Sequence, residues 1–277
     1  MTALVSTTAL TTRQPPGETR WPGTRLAGRR RLFRSPRDLA PLAWYRADLG
    51  LYSDTALLTP QTTDGGSIGS WQDQGGRNFT LIQATGAKQP TLLKNQFNNL
   101  PVVKFTATAT QVLRNAAMPH LAGNACTVVV FGTVRDSTAH NGTLLDYGTG
   151  SSNSTGVALF RNTSGTVLLF RVRDATPASR DASSATITLP HTAIWVGRYR
   201  VSDQRVDQSP GHGGATAIAT LGLANTLSCL SLGTFNDSST FPLLGELGEV
   251  VIFDRWLEDA DCDDLRHYLS EKWQVPA

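Results

Sequence analysis

Apolar and polar residues run along most of this chain in short stretches, many alternating at the two-residue period of a β-strand. Such runs recur at Ala43–Arg46, Thr80–Ala84, Pro101–Phe105, Thr127–Val134, Gly142–Tyr147 and Val157–Arg161. They continue at Thr166–Arg173, Ala185–Leu189, Ile194–Val201, Ala215–Leu221, Leu227–Leu232 and Leu247–Phe253. Gly, Asn, Asp or Pro separates most of them. About a dozen short strands with this punctuation predict a two-sheet antiparallel sandwich. Thr127–Val134 is mostly apolar and reads as a central strand. In Ile194–Val201, Trp195, Gly197, Tyr199 and Val201 share one face, the expected core face. Ile194, Val196, Arg198 and Arg200 share the other, which sends both arginines toward solvent or a partner. One helix is expected, Asp259–Trp273. Cys262, Leu265, Leu269 and Trp273 form its apolar stripe, and acids crowd its first turns, where the helix dipole favours them.

Residues 1–40 show neither period and carry several prolines and glycines. Such a segment buries too little surface to offset its ordering entropy. The expected division is therefore an extended arm, 1–38, and a sandwich, 39–277. Charge sharpens it. Residues 1–37 hold eight arginines against one acid, Glu18, a net +7 in a chain whose total is +3, so the remainder is −4. A basic arm on a mildly acidic body suggests an arm with its own partner. Its candidate contacts are Arg20, Trp21, Arg25, Arg29, Arg30, Arg31, Leu32, Phe33 and Arg34, with the arginines for an acidic surface and the apolar residues as anchors. Phosphates are the other target of such arginines. Nucleic acid is disfavoured, because little aromatic residue is interleaved for base stacking.

Candidate chemistry is sparse. The three cysteines, Cys126, Cys229 and Cys262, lack metal-site spacing and read as small buried hydrophobes. Glu246 and Glu249 stand three apart. On a regular strand they point to opposite faces and face solvent, so they do not form the same-face pair a sandwich glycosidase needs. There is no nucleophile elbow and no phosphate loop. His212 lies in a Gly-rich turn. Asp259, Asp261 and Asp263 imitate the start of a calcium loop but fall in the predicted helix and lack the Gly and Glu that follow. No stretch approaches the ~18 apolar residues of a membrane helix, and no membrane partner is expected. Trp44, Trp71, Trp195, Trp256 and Trp273 are expected to be mostly core.

Three stretches together carry a resemblance. The first is Leu42–Asp48, with Gly69–Gly76 and Leu81–Ala84. The second is Gln89–Thr91 leading to Asn99–Phe105. The third is Gly245–Arg255, then Leu257 and the helix to Lys272 and Trp273. Residues 40–277 thereby resemble the laminin-G-like, concanavalin A-like jelly-roll domains common in bacteriophage structural proteins and bacterial surface proteins. The resemblance implies an all-β, two-sheet antiparallel jelly roll with a short C-terminal helix. It does not imply one function. Such domains sometimes hold a rim calcium, for which Asp73, Asp146 and Asp237 are the candidates, each otherwise an Asx-type turn cap; no other cofactor is implied. A basic arm before a jelly roll is a familiar layout in virion proteins that clamp a shell. The expected function is a non-enzymatic virion protein, a capsid decoration or cement protein assembled in the host cytoplasm. Its partners would be the major capsid protein and neighbouring copies of itself. The alternative is a carbohydrate- or receptor-binding module of a phage tail or bacterial surface, with a host-surface glycan as partner.

Overall fold

The computed structural model describes residues 33–106, 110–121, 125–135, 142–149, 156–161, 167–173, 179–201, 203–208, 215–216, 227–235 and 241–277. The compact unit begins at Phe33. A short 3-10 turn, Pro36–Leu39, leads in. Strands follow: β1 (Ala43–Arg46), β2 (Leu51–Tyr52), β3 (Ser70–Trp71), β4 (Leu81–Ile82), β5 (Thr91–Phe97), β6 (Leu100–Phe105), β7 (Leu113–Asn115), β8 (Ala125–Val134) and β9 (Thr143–Gly148). Then come β10 (Gly156–Arg161), β11 (Leu168–Arg173), β12 (Ser179–Ser183), β13 (His191–Arg200), β14 (Asp203–Gln208), β15 (Ala215–Thr216), β16 (Cys229–Leu232) and β17 (Gly245–Phe253). The chain ends in the helix α1 (Asp259–Trp273).

Two antiparallel sheets result. One runs β15-β14-β13-β8-β17-β6-β5, with β1 also paired to β17. The other runs β12-β11-β10-β9-β16-β7-β4-β3-β2. This is the two-sheet antiparallel sandwich that the strand spacing predicts, and the jelly-roll architecture that the resemblance implies. Its central strands are apolar on both faces because both are covered. On β8, Val128 and Val130 face the second sheet, while Phe131 faces outward and stacks on Trp273 of α1 at 4.7 Å. The helix thus roofs the outer face of the first sheet, with Cys262, Leu265, Leu269 and Trp273 buried along the expected stripe.

The roof corrects one expectation. Trp195 and Tyr199 face the core as the alternation requires, and Gly197 leaves room for the ring of Phe170, to which an added Cβ would come within 2.5 Å. The opposite face of β13, however, meets α1. Arg198 is therefore buried rather than solvent-facing, bonded to Asp207, Asp259 and the Leu257 carbonyl. Arg200, beyond the helix, is exposed. Ala185–Leu189 is not a strand. Ser179–Ser183 takes the edge of β11 instead, locked by two 2.7 Å bonds between Arg171 and Asp181.

A β-bulge in β17 corrects a second expectation. The register steps from Leu247↔Gly132 to Glu249↔Phe131, leaving Gly248 unpaired. Glu246 then pairs with Thr133 and Glu249 with Phe131, two positions apart on β8, so both glutamates lie on one face. Neither faces solvent, since Glu246 is 3% and Glu249 0% exposed. Glu246 bonds Arg135 at 2.7 Å, and Glu249 is enclosed beneath α1. The bulge needs glycine. A Cβ at Gly248 would lie 2.5 Å from the Phe131 ring and 3.1 Å from Trp273. Gly248→Ala is expected to cost about 1–3 kcal/mol in urea unfolding, as overpacking does.

The hairpin from β5 to β6 turns on Asn98 and Asn99, with φ of 48° and 59°. Two successive left-handed residues define the turn that matches strand twist, and Asn tolerates them. Asn98 also donates to the Lys272 carbonyl at 2.9 Å, capping the last turn of α1. All three cysteines are buried, and burial pushes the Cys126 and Cys262 thiols up to about 12.

Candidate functional site

The second sheet presents its outer face on the side away from α1. Directly paired residues share a face, so its register reads out a row: Ile82 opposite Arg114, Arg114 opposite Ser231, Ser231 opposite Asp146. Leu81, Leu113 and Leu230 point the other way, into the core. Strands β4 and β7 are only two and three residues long and pair through Ile82 and Arg114. Where the pairing stops, a cleft of about 490 Å³ opens.

Local polar bonds shape its walls. Asn115 Nδ2 donates to the Thr80 carbonyl at 2.9 Å, and Asn115 Oδ1 accepts from the Ala117 N–H at 2.8 Å. That Asx turn ends β7 and leaves Ala116 and Ala117 exposed at the rim. Opposite, Gln83 donates to the Val112 carbonyl and accepts from the Thr85 N–H. Ile82, 46% exposed, supplies the largest apolar surface. Arg114 is the one charged residue of the lining. Its Nε donates to the Cys229 sulfur at 3.0 Å, which fixes the guanidinium plane across the sheet. The arrangement, an apolar floor with fixed amides and one cation, suits reversible binding of a small polar molecule.

A second cleft, of about 310 Å³, lies beside Asp48, Leu49, Pro60, Lys94 and Asn99. Its carboxylate is engaged, since Asp48 accepts from Arg46 and from Lys272.

The sequence-derived candidates fall elsewhere. Arg20, Trp21, Arg25, Arg29, Arg30, Arg31, Leu32, Asp237 and His212 lie outside the described residues. Phe33 packs edge-on against Tyr268 at 6.3 Å, as part of the compact unit. The Arg34 N–H donates to Asp38 at 2.7 Å. Asp73 acts as a loop cap: its carboxylate accepts from the N–H groups of Trp44, Gly75, Arg77 and Phe79, tying the loop after β3 to β1. Asp146 is buried on β9 within the outer-face row. Among the described residues, no three His, Cys, Asp or Glu side chains gather as a metal cluster. Of the tryptophans, Trp44, Trp71, Trp195 and Trp273 are core. Trp256 is half-buried beneath the guanidinium groups of Arg198, Arg200 and Arg205.

No protein-family model matches the chain, and no curated protein matches it. Solved structures do. The receptor-binding domain of botulinum neurotoxin mosaic serotype C/D superposes with a TM-score of 0.57 at 9% identity, over 84% of this chain and 51% of that one. The ligand-binding domain of botulinum neurotoxin serotype D, in complex with N-acetylneuraminic acid, gives 0.56 at 9%, over 87% and 56%. Trypanosoma rangeli sialidase, in complex with the inhibitor DANA, gives 0.50 at 12%, over 83% and 33%. The chain spans about half the length of the neurotoxin domains and a third of the sialidase. At these identities the fold is what is shared, the all-β sandwich of lectin-like jelly rolls.

Proposed function

We propose that this chain is a non-enzymatic saccharide-binding module that takes its ligand in the β4–β7 cleft. The observation that carries the reading is the cleft itself. It is open, of ligand size, and joins the exposed Ile82 and alanine surface to amides and a guanidinium held by hydrogen bonds. A sugar offers the matching chemistry, a C–H face for the apolar floor and hydroxyls for the rim. The fold is one that, in the neurotoxin relatives, belongs to receptor- and ligand-binding domains. That likeness favours the glycan-binding alternative over the capsid-decoration reading. Catalysis by the carboxylate pair is disfavoured, because Glu246 and Glu249 are buried and each is bonded to a cation, Arg135 and Lys272.

The test is a glycan panel probed with the full chain and with Ala116→Trp. Ala116 is exposed at the rim and away from the core, so an indole there blocks the cleft without unfolding the sheet. Binding of at least one saccharide by the native chain, lost in Ala116→Trp at an unchanged urea midpoint, supports the reading. Equal binding by both proteins, or none by the native chain, refutes it.

A further inference from the structure

Resting on that reading of the cleft, we propose that its ligand is an acidic saccharide whose carboxylate is held by Arg114. Four observations converge on this residue. Arg114 is the one charged side chain lining the cleft. Its Nε is committed to Cys229 at 3.0 Å, so the guanidinium is oriented before any ligand arrives. None of the ion pairs among the described residues involves it, whereas Arg171 of the same sheet is paired with Asp181. The flanking amides of Asn115 and Gln83 are neutral, and each already commits one N–H and one oxygen lone pair to the backbone. The guanidinium end is therefore the strongest uncommitted hydrogen-bonding group at the cleft.

A planar fork of N–H donors matches a carboxylate with two parallel bonds. Arg114 is half-buried, so the attraction is stronger there than in open water. A neutral sugar leaves this partly desolvated cation unanswered. Discrimination between two sugars of equal size follows from that difference. A charge-assisted bond of this kind corresponds to an affinity preference of about tenfold or more.

The test is calorimetric titration of the full chain with sialyllactose, with a glucuronic-acid-terminated disaccharide and with lactose. The first two separate the possible carboxylate sources, and lactose is the neutral reference. Either acidic sugar is expected to bind at least about tenfold tighter than lactose in low salt, with the preference shrinking in high salt as screening grows. Arg114→Gln should erase the preference, so that the acidic sugars bind this variant no more tightly than lactose does. Equal affinity for acidic and neutral sugars, with Ala116→Trp still blocking both, overturns this inference and leaves the saccharide site standing. A preference that survives Arg114→Gln likewise overturns it. Absence of binding to every sugar removes the cleft reading and this inference with it. Should Arg114→Gln fold poorly, the salt dependence of the native preference decides: no weakening with salt contradicts the proposal.

Discussion

Replacing Glu249 by alanine should lower the free energy of unfolding by about 3–5 kcal/mol, the range for stripping one partner from a buried ion pair. Glu249 is fully buried. Its Oε1 accepts from Trp44 Nε1 at 2.6 Å. Its Oε2 accepts from Lys272 Nζ at 2.6 Å and from Trp273 Nε1 at 3.0 Å. One carboxylate thus joins the first strand, the bulged strand and the last turn of α1. Alanine would leave two indole N–H groups without an acceptor in a closed site, and the Lys272 ammonium with Asp48 alone. Glu249→Gln keeps an acceptor but loses the charge, and should cost less. Urea unfolding followed by tryptophan fluorescence reads the difference. A loss below about 1 kcal/mol for alanine would show that the network is not what fastens the helix.

The same network sets acid sensitivity. Burial by itself would raise the Asp48 carboxyl, but the Arg46 hydrogen bond and the Lys272 charge outweigh it and hold the group below the usual carboxylate range. A group whose folded value is depressed stabilises above its unfolded value of about 4 and loses that contribution as pH falls further. The urea midpoint should therefore begin to drop below about pH 4, and Asp48→Asn should flatten that part of the profile.

Asp207→Ala is the second large effect, again about 3–5 kcal/mol. The Asp207 side chain is 5% exposed and bridges two buried guanidinium groups through one oxygen, Arg198 at 3.1 Å and Arg266 at 3.0 Å. Each arginine has a second acid, Asp259 and Asp263, but those side chains are 69% and 55% exposed and offer little in water. Without Asp207, two like charges meet in a closed space between β13 and α1. Hydrogen exchange should then quicken selectively in the amides of α1, ahead of the central strands. Uniform exchange across helix and sheet would contradict the assignment of this bridge to helix docking.

Much of the architecture was legible because period and punctuation are local. The helix Asp259–Trp273 emerged with its buried stripe, and the long strands β8, β13 and β17 emerged within a few residues. The short or polar strands did not. Leu51–Tyr52, Ser70–Trp71 and Leu113–Asn115 are too brief to show a period, and Asp203–Gln208 is defined by its pairing with β13 rather than by its composition. Arg198 and Glu249 were misread for one reason. Alternation says which residues share a face, but only the tertiary fold says that α1 covers that face. The Gly248 bulge added a second failure, because an unpaired residue reverses the parity on which the glutamate argument rested. The cleft was invisible for the same kind of reason. Ile82 and Arg114 lie far apart along the chain, and only the pairing of two minimal strands brings them together. The one local hint was a single charge, Arg114, in the stretch Thr106–Cys126, where no other Asp, Glu, Lys or Arg occurs.

The most direct test of the account is amide chemical-shift mapping of the full chain titrated with the saccharide that binds best in the panel. The account predicts that perturbations concentrate at residues 80–84 and 112–117, with Arg114 and Ala116 among the largest, and disappear in Ala116→Trp. Perturbations centred on the other cleft, at residues 47–51 and 92–101, or none at saturating sugar, would contradict it.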